Sequence, residues 1–178
     1  SRDWSSDVCS SDLGQAHTAY SAAKFAVKGF SEALITDLRI NAPHVKVSVV
    51  MPGHIGTSIV MNSYRAHGTE PKELTEAQID AIRQRLAAQG LDLSGVSDED
   101  IRLGMQAQAE GFRDNAPTTA AQAAAVILEG VRAGRWRILV GDDAHRLDEL
   151  VRADPASAYD PVFEERLRDA EIMGFTRR

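Results

Sequence analysis

Two short groups of residues have the types and the spacing for chemistry, and the first is a tyrosine with a lysine. Tyr20 and Lys24 are four residues apart in an alanine-rich stretch, so on a helix both side chains leave the same face. A phenol has an ordinary pKa of about 10, and a neighbouring ammonium group stabilises its ionised form. Such a pair can exchange a proton with a substrate hydroxyl or carbonyl. The alternative is an idle pair on a helix surface, which is common at this spacing.

The second group is the segment from Pro52 to Thr57, with the sequence PGHIGT, which directly follows a β-branched run. Proline fixes a turn, and the two glycines let the backbone approach a flat ligand closely. The alternative is an ordinary loop at the end of a strand. Within the segment, His54 is a candidate for substrate contact, and a solvated loop histidine is the competing interpretation.

The elements around these groups alternate between helix and strand. Apolar residues at helical spacing predict a long helix from Thr18 to Ile40, which Pro43 stops. The run from Val45 to Met51 predicts a strand buried on both faces of a sheet. A helix that leads into such a strand is typical of a doubly wound parallel sheet, which binds ligands beyond the carboxyl ends of its strands.

The rest of the chain continues this alternation after a polar stretch from about residue 59 to residue 115. Two capped helices are predicted there, one behind Thr75 and one behind Ser97, as a lid or insertion. Met61, Tyr64 and Met105 fit either an apolar substrate pocket or a helix core.

Beyond the insertion, a third capping box, Thr119 with Gln122, predicts a helix that ends before Gly134. A strand from Trp136 to Val140 and a helix from Ala144 to Arg152 follow, with Asp142 and Asp143 in the turn between them. From Asp154 onward the chain is predicted to be a polar tail.

Composition excludes several classes of protein. The chain has 178 residues, 43% hydrophobic and 26% charged, and a formal net charge of −6, which fits one soluble domain. Without a basic patch, binding to nucleic acid has no electrostatic basis. The apolar runs are far shorter than the roughly 20 residues that span a bilayer. The single cysteine, Cys9, and the absence of metal-ligand spacing among the five histidines favour a cytoplasmic protein without a metal.

The first thirteen residues differ from the rest of the sequence. The segment SRDWSSDVCSSDL repeats the triplet Ser-Ser-Asp and shows neither helical nor strand periodicity. It resembles translated sequencing-adapter DNA at the end of a gene fragment, and a natural serine-rich tail is the alternative. We therefore expect residues 1–13 to be an unstructured artefact, and residues 14–178 to be a partial single domain with the helical insertion at about 59–115.

The two chemical groups, in this order and with a helix and a strand between them, resemble the short-chain dehydrogenase/reductase family of the classical type. The resemblance is close from Thr18 to Thr57 and looser through the later helix and strand up to Gly141. It implies the carboxyl-terminal part of a Rossmann-like doubly wound α/β fold that lacks its amino-terminal nucleotide-binding half. It further implies an NAD(P)-dependent alcohol dehydrogenase or carbonyl reductase, present here as a fragment that is inactive alone.

The resemblance also implies roles for individual residues. Tyr20 is the catalytic acid and base, and Lys24 stabilises the ionised form of Tyr20 and hydrogen-bonds the nicotinamide ribose. Pro52, Gly53 and Ile55 line the nicotinamide ring, and the Thr57 hydroxyl holds the carboxamide or the pyrophosphate. The family's catalytic serine falls near Asp7, in the segment interpreted as an artefact, so no serine is assigned. The choice between NAD and NADP, the substrate and the reaction direction stay open.

A second hypothesis is a family-derived interaction module without catalysis. In the family the long helix packs against its counterpart in another subunit, which implies that Phe25, Phe30 and Leu34 are buried by self-association. Both hypotheses imply a homodimer or homotetramer through helix 18–40. Turnover that depends on NAD(P)H separates them.

Overall fold

Helix α1 (Thr18–Asn41) is the longest helix that the computed structural model describes. The described residues are 18–66, 68–88, 90–169 and 172, so the interpretation of residues 1–13 lies outside them. The helix confirms the predicted one, and at its end the Ala42 N–H donates to the Leu38 carbonyl at 2.9 Å. It stops there because Pro43, two residues beyond Asn41, has no N–H to donate. No residue of α1 is fully buried by the described parts of the chain.

A parallel pair of strands lies beside this helix. Strand β1 (Val49–Pro52) pairs with β4 (Arg137–Val140), so that Val49 lies opposite Arg137 and Pro52 opposite Val140. Parallel strands need a crossover connection, and helix-bearing crossovers define α/β folds. The α/β class with a parallel sheet, expected from the sequence as part of a Rossmann-like fold, is confirmed.

The prediction of a long strand from Val45 to Met51 is wrong in both extent and burial. Residues 45–48 are not strand, and β1 alternates between half-buried and exposed positions. The reason is the partner strand: β4 begins only at Arg137, so residues before Val49 have no β4 residue opposite them. Ser48 instead donates its hydroxyl to the Arg135 carbonyl at 2.8 Å.

Helix α5 (Ala120–Arg132) packs on β4 and covers the side of the strand that carries Ile138 and Val140. Its amino end carries the predicted capping box, in which Thr119 accepts from the Gln122 N–H and the Gln122 side chain accepts from the Thr119 N–H. Ala123 on α5 forms a buried cluster with Ile138 and Val140. The helix comes so close to the strand that a Cβ on Gly130 would lie 2.5 Å from Ile138 Cδ1.

Helices α6 (Asp142–Ala153) and α7 (Pro161–Asp169) form the carboxyl-terminal part of the same unit, with a 3-10 turn (Pro155–Ser157) between them. Helix α6 begins two residues earlier than predicted, so Asp142 and Asp143 lie in its first turn. The prediction of a polar tail is wrong because α7 is amphipathic and buries Phe163 and Leu167. The cluster contains six residues: Leu147, Val151, Ala158, Phe163, Leu167 and Ile172.

Residues 56–116 form a second compact unit, and the described residues up to 55 and from 117 onward form the first. The second unit contains α2 (Ile59–Ala66), a 3-10 turn (Pro71–Glu73), α3 (Glu76–Ala88) and α4 (Asp98–Asp114). The two predicted helices are present, and α2 was not predicted. Two further strands of two residues each, β2 (Ile55–Gly56) and β3 (Thr118–Thr119), pair with each other.

The second unit has its own small core, and hydrogen bonds and an ion pair connect its elements. Leu74, Ile79 and Ile101 are buried together. Arg102 on α4 donates from Nε and Nη2 to the Leu74 carbonyl at 3.0 and 2.8 Å. Arg83 on α3 pairs with Asp98 at 2.6 Å. The first contact holds α4 to the segment before α3, and the second joins α3 to α4. The role of this unit as a lid stays a prediction.

Candidate active site

The tyrosine and lysine of the first chemical group lie together on the exposed side of α1. Lys24 Nζ lies 5.2 Å from the centroid of the Tyr20 ring, within the distance at which an ammonium is attracted to an aromatic face. The helix produces this contact directly, because residues four apart are neighbours on its surface. Tyr20 is 52% exposed, so about half of its surface is left uncovered. The pair therefore offers one hydroxyl that gives or takes a proton beside a cation with three N–H donors.

The turn after β1 is the second candidate group, and its backbone is held by contacts with β4. Pro52 ends the strand opposite Val140, and the Gly53 N–H donates to the Val140 carbonyl at 2.9 Å. The side chain of Ile55 packs against the cluster of α5 and β4. The turn thus lies at the carboxyl end of a parallel strand, where α/β sheets bind ligands.

A carboxylate from another element supports this turn. The His54 N–H donates to Asp143 Oδ2 at 2.5 Å, although the two residues are far apart in the sequence. A Cβ on Gly53 would lie 2.1 Å from Asp143 Oδ1, a separation that real atoms do not tolerate. Glycine at position 53 is therefore required by the close approach of this side chain, in addition to any approach of a ligand.

Sequence reasoning missed Asp143 as part of the site. The residue was interpreted as ordinary turn chemistry after a strand, but it is 8% exposed and lies in the first turn of α6. Two acidic residues directly behind a glycine, at the start of an amphipathic helix, were the local signal for a helix amino end. Nothing in the sequence pattern indicated that one of them reaches the turn after β1.

The remaining candidates of the second group differ in where they lie. His54 is half-buried in the first unit, and substrate contact by its side chain stays a prediction. Thr57 is half-buried and belongs to the second unit, just before α2. The structure therefore brings Tyr20 to Lys24, and it fixes Pro52, Gly53 and Ile55 in one turn.

Three side chains that fitted either a substrate pocket or a core lie in the second unit. Met105 packs against the buried cluster of Leu74, Ile79 and Ile101, as the core interpretation predicts. Burial raises the pKa of the Tyr64 hydroxyl above its ordinary value, against the opposing charge of Arg85. Tyr64 is thus a neutral, half-buried phenol at ordinary pH.

Comparison with known proteins shows which family the chain is similar to. Residues 5–68 match the model described as short chain dehydrogenase. Over 135 residues the chain is 30% identical to proteins named "Putative oxidoreductase SadH" in two strains of Mycobacterium tuberculosis, CDC 1551 / Oshkosh and ATCC 25618 / H37Rv. The alignment covers 76% of this chain.

The chain belongs to the short-chain dehydrogenase/reductase family.

The chain spans 37% of the length of the curated relatives that it matches. No solved structure gives a significant match to the chain. All six residues predicted for catalysis or cofactor binding lie inside the matched range, which begins at residue 5, within the segment interpreted as an artefact. The origin of that segment stays a prediction.

None of the described helices is both long enough and apolar enough to cross a membrane. Across residues 18–66, 68–88, 90–169 and 172, no three His, Cys, Asp or Glu side chains are grouped as a metal site would require. That the protein works without a metal stays a prediction.

Proposed function

We propose that this protein is an NAD- or NADP-dependent oxidoreductase that interconverts an alcohol and a carbonyl compound. The observation that carries the proposal is the Tyr20 and Lys24 pair, with the ammonium nitrogen 5.2 Å from the phenol ring on an accessible helix face. When a cofactor supplies the hydride, carbonyl reduction needs a proton donor from the protein, and here that donor lies beside a cation. Membership of the short-chain dehydrogenase/reductase family supports the same chemistry.

The residues of the site fit a nicotinamide nucleotide by their chemistry. The Lys24 ammonium offers donors for the ribose hydroxyls, and the Thr57 hydroxyl offers a donor and an acceptor for the carboxamide or the pyrophosphate. Pro52 and Ile55 supply apolar surface for the ring, on a turn whose Gly53 N–H is fixed to Val140. When bound, the nicotinamide supplies or accepts the hydride.

The protein's own part in the reaction is to move one proton and to orient the reactants. In the oxidation direction, the C–H bond at the carbinol carbon breaks and its electron pair leaves as hydride, while the hydroxyl proton passes to the Tyr20 oxygen. In the reduction direction, Tyr20 gives that proton to the carbonyl oxygen as hydride arrives at the carbon. Lys24 would hold the cofactor ribose through its N–H donors, and its ammonium lies beside the Tyr20 ring.

The proposal extends to partners and compartment. The substrate is a small-molecule alcohol or carbonyl compound, and neither nucleic acid nor a membrane takes part. The protein assembles as a homodimer or homotetramer through helix 18–40, and it works in the cytoplasm. The exposed apolar side chains of α1 support the assembly, because Phe30 is 68% exposed and Val27 is 63% exposed, and large apolar side chains grouped on a surface mark interaction sites.

The exposed apolar residues of α1 also favour a second candidate function, an interaction module that has kept the helix and lost catalysis. Phe25 is also 38% exposed on this helix, and Val27 and Phe30 are more exposed. In this alternative Tyr20 and Lys24 are surface residues without chemistry, and association of α1 is the function.

Transfer of deuterium tests the catalytic function directly. The complete gene product is incubated with NAD⁺ or NADP⁺ and a panel of secondary alcohols that carry deuterium at the carbinol carbon. We expect deuterium in the reduced nicotinamide for at least one alcohol, because hydride leaves from that carbon. Absence of nicotinamide reduction across the panel, in a protein that still self-associates, contradicts the proposal and supports the interaction module.

A further inference from the structure

A buried carboxylate lies outside the pair that moves the proton, and no step of the reaction uses it. Asp143 is 8% exposed, and its Oδ2 accepts the His54 N–H at 2.5 Å. Its second oxygen, Oδ1, is buried and has no hydrogen-bond partner among the described residues. Its neighbour Asp142 is exposed. The two adjacent aspartates therefore have different surroundings.

Two glycines make the space that this carboxylate fills. A Cβ on Gly53 would lie 2.1 Å from Asp143 Oδ1 and 2.4 Å from Oδ2. A Cβ on Gly141 would lie 2.6 Å from Oδ1, and Gly141 has φ +99°, a left-handed conformation that favours glycine. The carboxylate is thus wedged between the turn that follows β1 and the turn that follows β4. Any side chain at either glycine displaces it.

The energetics explain why a buried charge is tolerated at this place. A carboxylate removed from water is costly unless it is hydrogen-bonded. Here a backbone N–H donates to it, and such a bond to a charged acceptor is stronger than one between neutral groups. Asp143 also lies in the first turn of α6, where the helix dipole favours a negative charge. The hydrogen bond to the carboxylate therefore lasts only while the His54 backbone stays against the start of α6.

We propose that Asp143 is a positioning residue for the Pro52–Ile55 turn. Its carboxylate ties the backbone of that turn to the start of α6, so the surfaces of Pro52 and Ile55 keep one orientation. The functional part of this inference rests on the proposed function, in which these surfaces receive the nicotinamide ring. Asp143 touches neither substrate nor cofactor, and it acts through the turn alone.

A double-mutant cycle tests the structural part in the 178-residue chain. Gly53→Ala is expected to raise the unfolding equilibrium constant about a hundredfold, because its Cβ collides with the carboxylate. In an Asp143→Ala background the same change is expected to have an effect at least about tenfold smaller, because the collision is gone. Asp142→Ala is the matched control, and Gly53→Ala should have its full effect beside it. Equal effects of Gly53→Ala in all three backgrounds overturn the inference.

A second measurement stays informative if Gly53→Ala does not fold. The amide proton of His54 is followed by NMR in the wild type, Asp143→Asn and Asp142→Asn. A hydrogen bond to a carboxylate deshields an amide proton, so we expect an upfield shift of the His54 amide in Asp143→Asn alone. The same His54 amide shift in all three proteins overturns the inference.

Kinetics of the complete gene product test the functional part. Asp143→Ala is expected to raise KM for the nicotinamide cofactor about tenfold with kcat changed less than about twofold, the pattern of lost positioning. Asp143→Asn keeps an acceptor oxygen, so it should restore most of the affinity, and Asp142→Ala should match the wild type. A fall in kcat with unchanged KM indicates only fewer folded molecules and overturns the positioning role. A wild type without nicotinamide-dependent turnover overturns the proposed function instead, and the mutant cycle still decides the structural part.

Discussion

Arg137 on β4 and Asp148 on α6 form an ion pair that is joined by two hydrogen bonds. Each of the two side chains is only 14% exposed. Arg137 Nη1 donates to Asp148 Oδ2 at 3.0 Å, and Nη2 donates to Oδ1. Arg152, one turn further along α6, also donates from Nε to Asp148 at 3.0 Å. The pair joins the strand that supports the site to the helix that carries Asp143.

This ion pair predicts a specific dependence of stability on pH. Burial acts to raise the pKa of Asp148, but the hydrogen bonds and charges of Arg137 and Arg152 outweigh it and hold the pKa below its usual value. The folded state therefore binds this proton less readily than the unfolded state. The stabilisation is fully present above the ordinary carboxyl pKa of about 4 and is lost as the pH falls through the lower folded value.

We expect Asp148→Asn to lower the free energy of unfolding by about 2 kcal/mol at neutral pH. The difference from the wild type should shrink at a pH below the folded pKa of Asp148, because the wild-type carboxyl is then neutral as well. Urea denaturation at both pH values measures this. The control is Asp114→Asn, which breaks an exposed pair with Arg113 at 2.6 Å and should change stability little. Equal losses in the two variants contradict the account.

The carboxyl-terminal helix α7 gives a second prediction about stability. Phe163 is 1% exposed and packs in the cluster with Val151 and Leu167. Truncation by Phe163→Ala should lower the free energy of unfolding by about 3 to 5 kcal/mol, because it leaves a cavity in that cluster. Val162→Ala, at a neighbour that is 56% exposed, should cost less than about 1 kcal/mol. Similar losses in both variants would show that α7 does not pack as described.

The exposed face of α1 predicts how the protein associates. Phe30→Lys places a charge at a side chain that is 68% exposed, and a charge buried in an apolar interface is costly. If copies associate through this helix, the variant should dissociate at concentrations at which the wild type is a homo-oligomer. Sedimentation velocity measures the masses. Val162→Lys makes the same kind of change on α7 and should leave the assembly unchanged, and an assembled Phe30→Lys protein contradicts association through α1.

Features set by neighbouring residues in the chain were predicted correctly. The capping boxes at Thr119 and Thr75 are present, with the Gln122 N–H donating to Thr119 Oγ1 at 3.2 Å and the Gln78 N–H to Thr75 Oγ1 at 3.4 Å. Gly90 and Gly134 follow their helices with φ of +84° and +66°, as helix ends favour. The contact of Lys24 with Tyr20 belongs to the same class, because helical spacing alone brings the two together.

Features set by distant residues were not predictable from local pattern. The extent of β1 depends on where β4 begins, and no residue between Val45 and Ser48 carries that information. Helix α7 is polar by composition, and its burial depends on the apolar face that α6 turns toward Phe163. The local pattern around Asp143 indicates only a turn residue, because its partner, the His54 N–H, comes from a distant part of the sequence.

The most direct test of the central claim is the comparison of Tyr20→Phe with the wild type in the complete gene product. Steady-state turnover and the Kd of the nicotinamide cofactor are measured together, with Tyr159→Phe, at a tyrosine that is 64% exposed, as the matched control. Removing the hydroxyl should lower kcat by about a hundredfold to ten-thousandfold, because one proton transfer is lost, while Kd and the control stay within about twofold of the wild type. Wild-type turnover in Tyr20→Phe would contradict the assignment of this residue as the proton donor and acceptor.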